Sequence, residues 1–196
     1  MRTGAKRKAS DMKLLFITGN RHKFLEAESI LKGCGVKIEH GSLSIPEERG
    51  EDCEAIAAAA ARAAYRALKK PLFVEDSGLF IESLNGFPGA YSAWAFGKLG
   101  ADGILKLMTG TVKRGAEFVT AIAYADEDGV RTFVGACKGT VAPMQRGSTG
   151  FAYDAIFVPE GQSKTFAEDP ELKARVSHRR MALEKFAKWL EEKEKS

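Results

Sequence analysis

Two adjacent carboxylates, Glu75 and Asp76, stand between the apolar triplets Leu72-Phe73-Val74 and Leu79-Phe80-Ile81, followed by Ser77 and Gly78. The triplets are apolar on both faces, as strands of a buried sheet are. Carboxylates in such a setting are costly unless a cation or several donors compensate them. Successive strand residues point to opposite faces, so in a regular strand one of the pair faces a site and the other a structural partner. Gly78 permits a bend or the close approach of a ligand. Taken alone, the pair reads rather as a solvated acidic turn, and the rest of the chain has to decide.

Those cations sit at unusual places. Lys23 falls in the first turn of a helix that follows Thr18-Gly19-Asn20, and His178 and Arg179 follow Ser177, a good N-cap, at the start of the last helix. A positive side chain is poorly placed at the positive end of a helix unless an anion meets it there. A strand, a tight Gly turn and a helix also present backbone N–H groups to an anion. GxxxxGK[ST] is absent, so this is not a Walker loop. With Lys173, these residues form a clamp suited to a polyphosphate. The acidic strand supplies hard oxygen ligands of the kind Mg²⁺ prefers, and Phe151 and Tyr153 offer planes on which a base can stack. The residues alone therefore point to a Mg²⁺-dependent enzyme acting on a nucleotide or phosphoester.

The elements that must position these groups read as α/β. A buried strand over 13–17 leads into a helix over 21–32, with Phe24, Ala27, Ile30 and Leu31 on one side. A second strand is expected over 36–45. Pro46-Glu47-Glu48-Arg49-Gly50 follows, where the local pattern makes the glutamates surface charge at a helix entry. The Ala-rich stretch 51–70 is a helix. Residues 85–94 read as a loop, 103–108 as a short helix, and 117–125 with 130–141 as a hairpin about Asp126-Glu127-Asp128-Gly129. Residues 146–150 read as a flexible basic loop, 151–157 as a strand interrupted by Asp154, and 165–176 as polar and Pro-broken. The last helix runs from Ser177 to about 193, with Met181, Phe186, Trp189 and Leu190 as core contacts. An antiparallel hairpin in a βα chain implies a mixed sheet with a second lobe.

With 196 residues and 44% hydrophobic content, the chain can bury one substantial core. A net charge of +4 would admit a nucleic-acid binder, but residues 1–11 carry Arg2, Lys6, Arg7 and Lys8 against Asp11 alone, three of those four charges. The body is near neutral, so no nucleic-acid partner is expected of it. Residues 1–11 read as a disordered basic extension and 12–196 as a single domain of two lobes. Cys34, Cys53 and Cys137 show no CxxC spacing and read as reduced thiols, and the three histidines lack zinc-ligand spacing. No apolar run approaches the ~20 residues of a membrane span, and no signal-peptide segment is present. The expectation is a cytoplasmic protein without a membrane partner.

TGNRHK (18–23), EDSGLFIESLNGFPGAYS (75–92), GSTGFAYDAIFVPEG (147–161) and SHRRMAL (177–183) occur in one order and spacing. In these four motifs the chain resembles the inosine triphosphate pyrophosphatase family over roughly residues 12–190. The resemblance implies an elongated mixed β-sheet flanked by helices, with the site in a cleft between two lobes, usually in a homodimer. It implies hydrolysis of ITP, dITP and XTP to the monophosphate and pyrophosphate, with Mg²⁺ as cofactor and a purine nucleoside triphosphate as partner. Thr18, Gly19, Asn20 and Lys23 fall on the motif that holds the triphosphate, which also contains Arg21 and His22. Asp76 falls on the carboxylate that serves as metal ligand or general base, Ser77 on a substrate contact, and Glu47 on a second Mg²⁺ ligand, against its local reading. Phe151, Ala152, Tyr153 and Asp154 match the base-binding segment, Lys173 a phosphate lysine, and His178 with Arg179 the base-recognition pair. Asp76, Lys23 and Lys173 are thereby the expected catalytic group. The chain has alanine at 152 and 155 where many members have Gly and Pro, and Met144-Gln145 interrupts the usual Pro-Arg-Gly loop. A related Maf-like pyrophosphatase acting on other nucleotides, or a nucleotide-binding protein without catalysis, are the alternatives.

Overall fold

The computed structural model describes residues 13–44 and 50–195. The expected basic extension over 1–11, the domain start at Met12 and the proposed ligand Glu47 lie outside the described residues.

The strands are β1 (Leu14–Ile17), β2 (Ile38–Gly41), β3 (Leu72–Ile81), β4 (Pro88–Gly89), β5 (Gly115–Asp126), β6 (Gly129–Val141) and β7 (Phe157–Pro159). They form one sheet in the order β2-β1-β3-β5-β6-β7, with β4 paired to β3. β2, β1 and β3 run parallel, and β3, β5, β6 and β7 pair antiparallel, which is the mixed sheet expected. The helices are α1 (Arg21–Gly33), α2 (Cys53–Leu68), α3 (Ser92–Leu107), α4 (Pro170–Val176) and α5 (His178–Lys195). Among the described residues, no helix is long and apolar enough to cross a membrane.

Helix α2 covers one face of the sheet. Its small side chains Ala57, Ala61 and Ala64 let it lie close over Leu72, Val74, Ala121, Ala123 and Ala125. The other face carries two separate cores. Phe16, Phe73, Ile122 and Phe186 pack under α1 and α5, whereas Leu79, Ile81, Phe118 and Phe157 pack with Ile104 and Met108 from α3 and its end. Between these two cores, the same face of β3 carries Glu75 and Ser77, and β5 carries Thr120 opposite Ser77. A polar belt thus divides the apolar face, and the first turn of α5 roofs it. Gly135 on β6 makes that roof possible, because a Cβ there would stand 2.2 Å from the His178 carbonyl oxygen.

β3 is one uninterrupted strand of ten residues, so the acidic pair is not in a turn. The second expected strand shortens to Ile38–Gly41. The loop expected through residue 94 ends earlier, with helix α3 already beginning at Ser92 and kinking at Gly100, where φ is 61°. The expected helix over 103–108 corresponds to its second half. The expected strand over 151–157 is instead a 3-10 turn at Ala152–Ala155 followed by the short β7. The cause is local: the Asp154 carboxylate accepts the Phe151 N–H at 2.8 Å, closing a turn. Within the Pro-broken stretch, Pro170 sits at the head of α4 and Asp169 caps it by accepting the Leu172 N–H at 2.9 Å. The loop over 146–150 is tethered, since the Arg146 N–H donates to the Ala155 carbonyl at 2.8 Å and Gly147 packs against Ala167. Of the expected core contacts on α5, Phe186 is buried, and Trp189 and Leu190 are half-buried against it, but Met181 is exposed.

Gly78 is needed for close approach. A Cβ there would lie 2.2 Å from the Gly89 carbonyl oxygen and 2.6 Å from its carbon. Gly78→Ala is therefore expected to cost about 1–3 kcal/mol of stability by forcing β4 away from β3. Urea denaturation checks this, and an unchanged midpoint would show that β4 yields freely.

Candidate functional site

The turn after β1 is wired through side chains. Asn20 caps α1, its Oδ1 accepting the N–H groups of His22 at 2.9 Å and Lys23 at 3.2 Å. Thr18 Oγ1 accepts the Asn20 N–H at 3.1 Å. The amides of His22 and Lys23, expected to be open to an anion, are thus occupied by the cap. From β2, the Gly41 carbonyl accepts the Thr18 N–H, and His40 Nε2–H donates to the Thr18 carbonyl at 2.7 Å. His40, whose ring also leans on Phe24, was absent from the sequence-based site. Its signal is only its place at the end of the neighbouring strand.

Because β3 stays regular, Glu75 and Asp76 point to opposite faces. Glu75 lies in the polar belt, its side chain fully buried. Its carboxylate accepts Arg179 Nε at 3.1 and 2.9 Å and Nη2 at 2.9 Å, with Lys23 Nζ at 3.4 Å. Burial alone would raise its pKa, but Arg179 and Lys23 outweigh that and hold it below the usual carboxylate value. Asp76 points to the α2 face, beside Cys53 at the head of that helix. Burial raises its pKa, and Lys23 and the Cys53 thiol offset this only in part. Its Oδ2 is buried without a hydrogen-bond partner. Of the two carboxylates, Glu75 is the structural one and Asp76 retains acceptor capacity.

A second group gathers where α1, α4 and α5 meet. Lys173 Nζ donates to Glu26 at 2.6 Å and to Asp154 at 2.9 Å, and stands 4.7 Å above the Phe151 ring. Arg179 Nη1 donates to the other oxygen of Glu26, and its guanidinium lies 5.7 Å from the same ring. Glu26 therefore joins the two cations that the sequence presented as free. It was missed because its partners are 147 and 153 residues away. The one available signal was its i, i+3 spacing from Lys23, which puts it on the same side of α1. Any substrate phosphate must compete with these carboxylates for Lys173 and Arg179.

His178 is buried, its ring stacked on Phe118 at 4.5 Å. Burial, reinforced by Arg179, Lys173 and Lys23, lowers its pKa well below the ordinary value, so the imidazole is neutral at pH 7. Its Nδ1 and the Thr120 hydroxyl, both in the polar belt, are buried without partners. Ser77 is half-buried and paired in register with Thr120.

Tyr153 departs from its expected stacking role. It is buried, edge-on to Phe96, and its hydroxyl donates to the Ser92 carbonyl at 3.0 Å. It anchors the 3-10 turn to α3, and Ala152 adopts the left-handed conformation (φ 54°) within that turn. Tyr153→Phe should cost about 1 kcal/mol by removing this buried hydrogen bond. Thermal denaturation measures that loss, and steady-state kinetics should show KM within about twofold of the parent. A large rise in KM would restore Tyr153 to the site.

Of the two aromatic residues expected to offer a stacking plane, Phe151 is the half-buried one. An open cavity of about 600 Å³ at the far end of β3, β5 and β6, lined by Phe80, Glu117, Lys138 and Glu160 among others, includes none of these residues. The three cysteines are free, with Cys53 and Cys137 buried. Among the described residues, no cluster of three or more His, Cys, Asp or Glu can hold a metal ion.

A sequence model of the Ham1 family matches residues 14–189. A dITP/XTP pyrophosphatase of Methanopyrus kandleri is 49% identical over 180 residues, covering 91% of this chain and 96% of that protein. Its counterpart in Hyperthermus butylicus is 43% identical over 178 residues, covering 90% and 94%. Among solved structures, the Ham1 protein of Staphylococcus aureus superimposes with a TM-score of 0.79 at 29% identity, over 92% of this chain and 100% of that one.

Proposed function

The chain belongs to the Ham1 family, and from that premise we propose that it hydrolyses the triphosphates of deaminated purines (ITP, dITP and XTP) to the monophosphate and pyrophosphate. The reading rests on Asp76: a half-buried carboxylate with one oxygen, Oδ2, buried and lacking a donor, within the influence of Lys23. A buried anion left so is costly for folding, and its retention makes sense where a substrate or metal ion completes it.

Asp76 Oδ2 suits Mg²⁺, which takes one or two carboxylates, keeps several waters and uses substrate phosphates for the rest. The absence of a three-residue cluster among the described residues is compatible with such a site. Asp76 would hold the ion, with Glu47 as the second ligand. When bound, Mg²⁺ supplies charge neutralisation on the phosphate oxygens and a more acidic water. Lys23 offsets charge on the phosphates. Water attacks the α-phosphorus in line and pyrophosphate departs, chemistry governed by position and electrostatics more than by covalent steps. Asp76 is either the metal ligand, the base that takes the proton of the attacking water, or both.

Phe151 offers a stacking face for the purine, and Arg179 retains unused N–H capacity on its terminal nitrogens. A donor aimed at C6 pairs with the oxygen of hypoxanthine or xanthine and is left unpaired opposite the amine of adenine. The enzyme acts as a cytoplasmic homodimer.

The test is a nucleoside triphosphate panel scored for pyrophosphate against orthophosphate, with Mg²⁺ and with excess chelator. Pyrophosphate from ITP, dITP and XTP, lost on chelation, is the expected result. Preferred release from dTTP or UTP would favour a Maf-like activity, and nucleotide binding without any release would exclude catalysis.

A further inference from the structure

The proposed function assigns no particular task to the side chain of His22. Its backbone N–H serves the helix cap, but its ring is exposed and lies parallel to Phe151, with centroids 5.2 Å apart and planes at 12°. Phe151 itself comes from a turn that is fixed from below. Its N–H is held by Asp154, and the next residue but one, Tyr153, is buried and bonded to α3. That turn leaves the Phe151 ring itself to be placed by its contacts. These include His22, Lys173 and Arg179.

We propose that His22 is a positioning residue for the purine: its ring braces Phe151 as the wall on which the base stacks. The inference rests on the reading of Phe151 as the base wall. It joins the two ends of the substrate through one helical turn, since His22 serves the base while its neighbour Lys23 faces the carboxylates of β3. Parallel aromatic contacts contribute beyond their buried area and tolerate exchange of one ring for another. The role therefore requires a flat ring at position 22.

His22→Ala is expected to raise KM for ITP roughly 3- to 10-fold, with kcat little changed, and His22→Phe to restore most of the loss. In a Phe151→Ala background, His22→Ala should have almost no further effect. Inorganic tripolyphosphate, which has no base, should inhibit the parent and His22→Ala with equal constants. A weaker tripolyphosphate inhibition without rescue by Phe would overturn the proposal in favour of a phosphate contact, and additive losses with Phe151→Ala would overturn it as well. Calorimetric ITP binding gives the same comparison in the absence of turnover. A tenfold-weakened Kd in His22→Ala alone would sustain the stacking role even if hydrolysis of ITP failed, and an unchanged Kd would refute it.

Discussion

Asp76→Asn is expected to lower kcat for ITP by roughly 10²-fold or more, equivalent to about 2.7 kcal/mol of lost transition-state stabilisation, while leaving the fold intact. The substitution keeps the shape of the side chain and removes the charge. Asp76 is half-buried, its buried Oδ2 has no donor, and its pKa stands above the ordinary value because desolvation penalises the anion more than Lys23 and the Cys53 thiol relieve it. The sign of the stability effect follows. A carboxyl whose folded pKa is raised costs stability once the pH exceeds its unfolded value, so at pH 7 the ionised Asp76 is a burden and Asn removes it. Thermal denaturation should therefore show Asp76→Asn as stable as the parent or more so, while pyrophosphate release collapses. Such opposite movements mark a group kept for chemistry at the expense of packing. Near-normal turnover in Mg²⁺ would remove Asp76 from the mechanism. A drop in both turnover and melting temperature would make it structural.

What the sequence could reveal depended on how local the cause was. The β5–β6 hairpin follows from two strand-like runs and the acidic Gly-ended turn that joins them, where Asp126 pairs with Gly129. α2 follows from its alanines, and the opposite orientations of Glu75 and Asp76 follow from the two-residue period of a strand. α3 was obscured by Gly97, Gly100 and Gly103, of which only Gly100 departs from helical geometry. Residues 151–157 look like a strand because nothing nearby reveals that Asp154 will turn back to the Phe151 amide. In the candidate site, residue types pointed to Lys23, Glu75, Lys173 and Arg179, which the fold brings together, but their pairing did not emerge. Lys173 and Arg179 read as free cations because Glu26 reaches them only after α1 packs beside α5. Tyr153 reads as a stacking plane, and only the approach of α3 turns it into a core residue. Long-range partners decide whether a charge is available to a ligand, and one chain read in order does not display them.

Glu75 carries the second large effect, and it should be the reverse of its neighbour's. Glu75→Leu is expected to destabilise the protein by about 3–5 kcal/mol, because it strands the buried Arg179 guanidinium with Glu26 as its remaining carboxylate. For a chain of this size that corresponds to a fall of roughly 6–20 °C in Tm. The pH dependence carries a sign of its own. Burial would raise the Glu75 pKa, but Arg179 and Lys23 bring it below the unfolded value, so its contribution is present above that value and disappears as the pH falls through the folded one. The gap between parent and Glu75→Leu in urea denaturation should hold between pH 6 and 7 and close at the acid end of the titration, below about pH 4. Replacing both partners, as Glu75→Leu with Arg179→Met, removes the stranded charge and should recover a good part of the loss, since a well-packed apolar pair often matches a buried ion pair. Activity should not return with stability, because Arg179 also stands at the Phe151 ring. If the double variant were no more stable than Glu75→Leu alone, the penalty would lie in packing of the polar belt rather than in an uncompensated guanidinium.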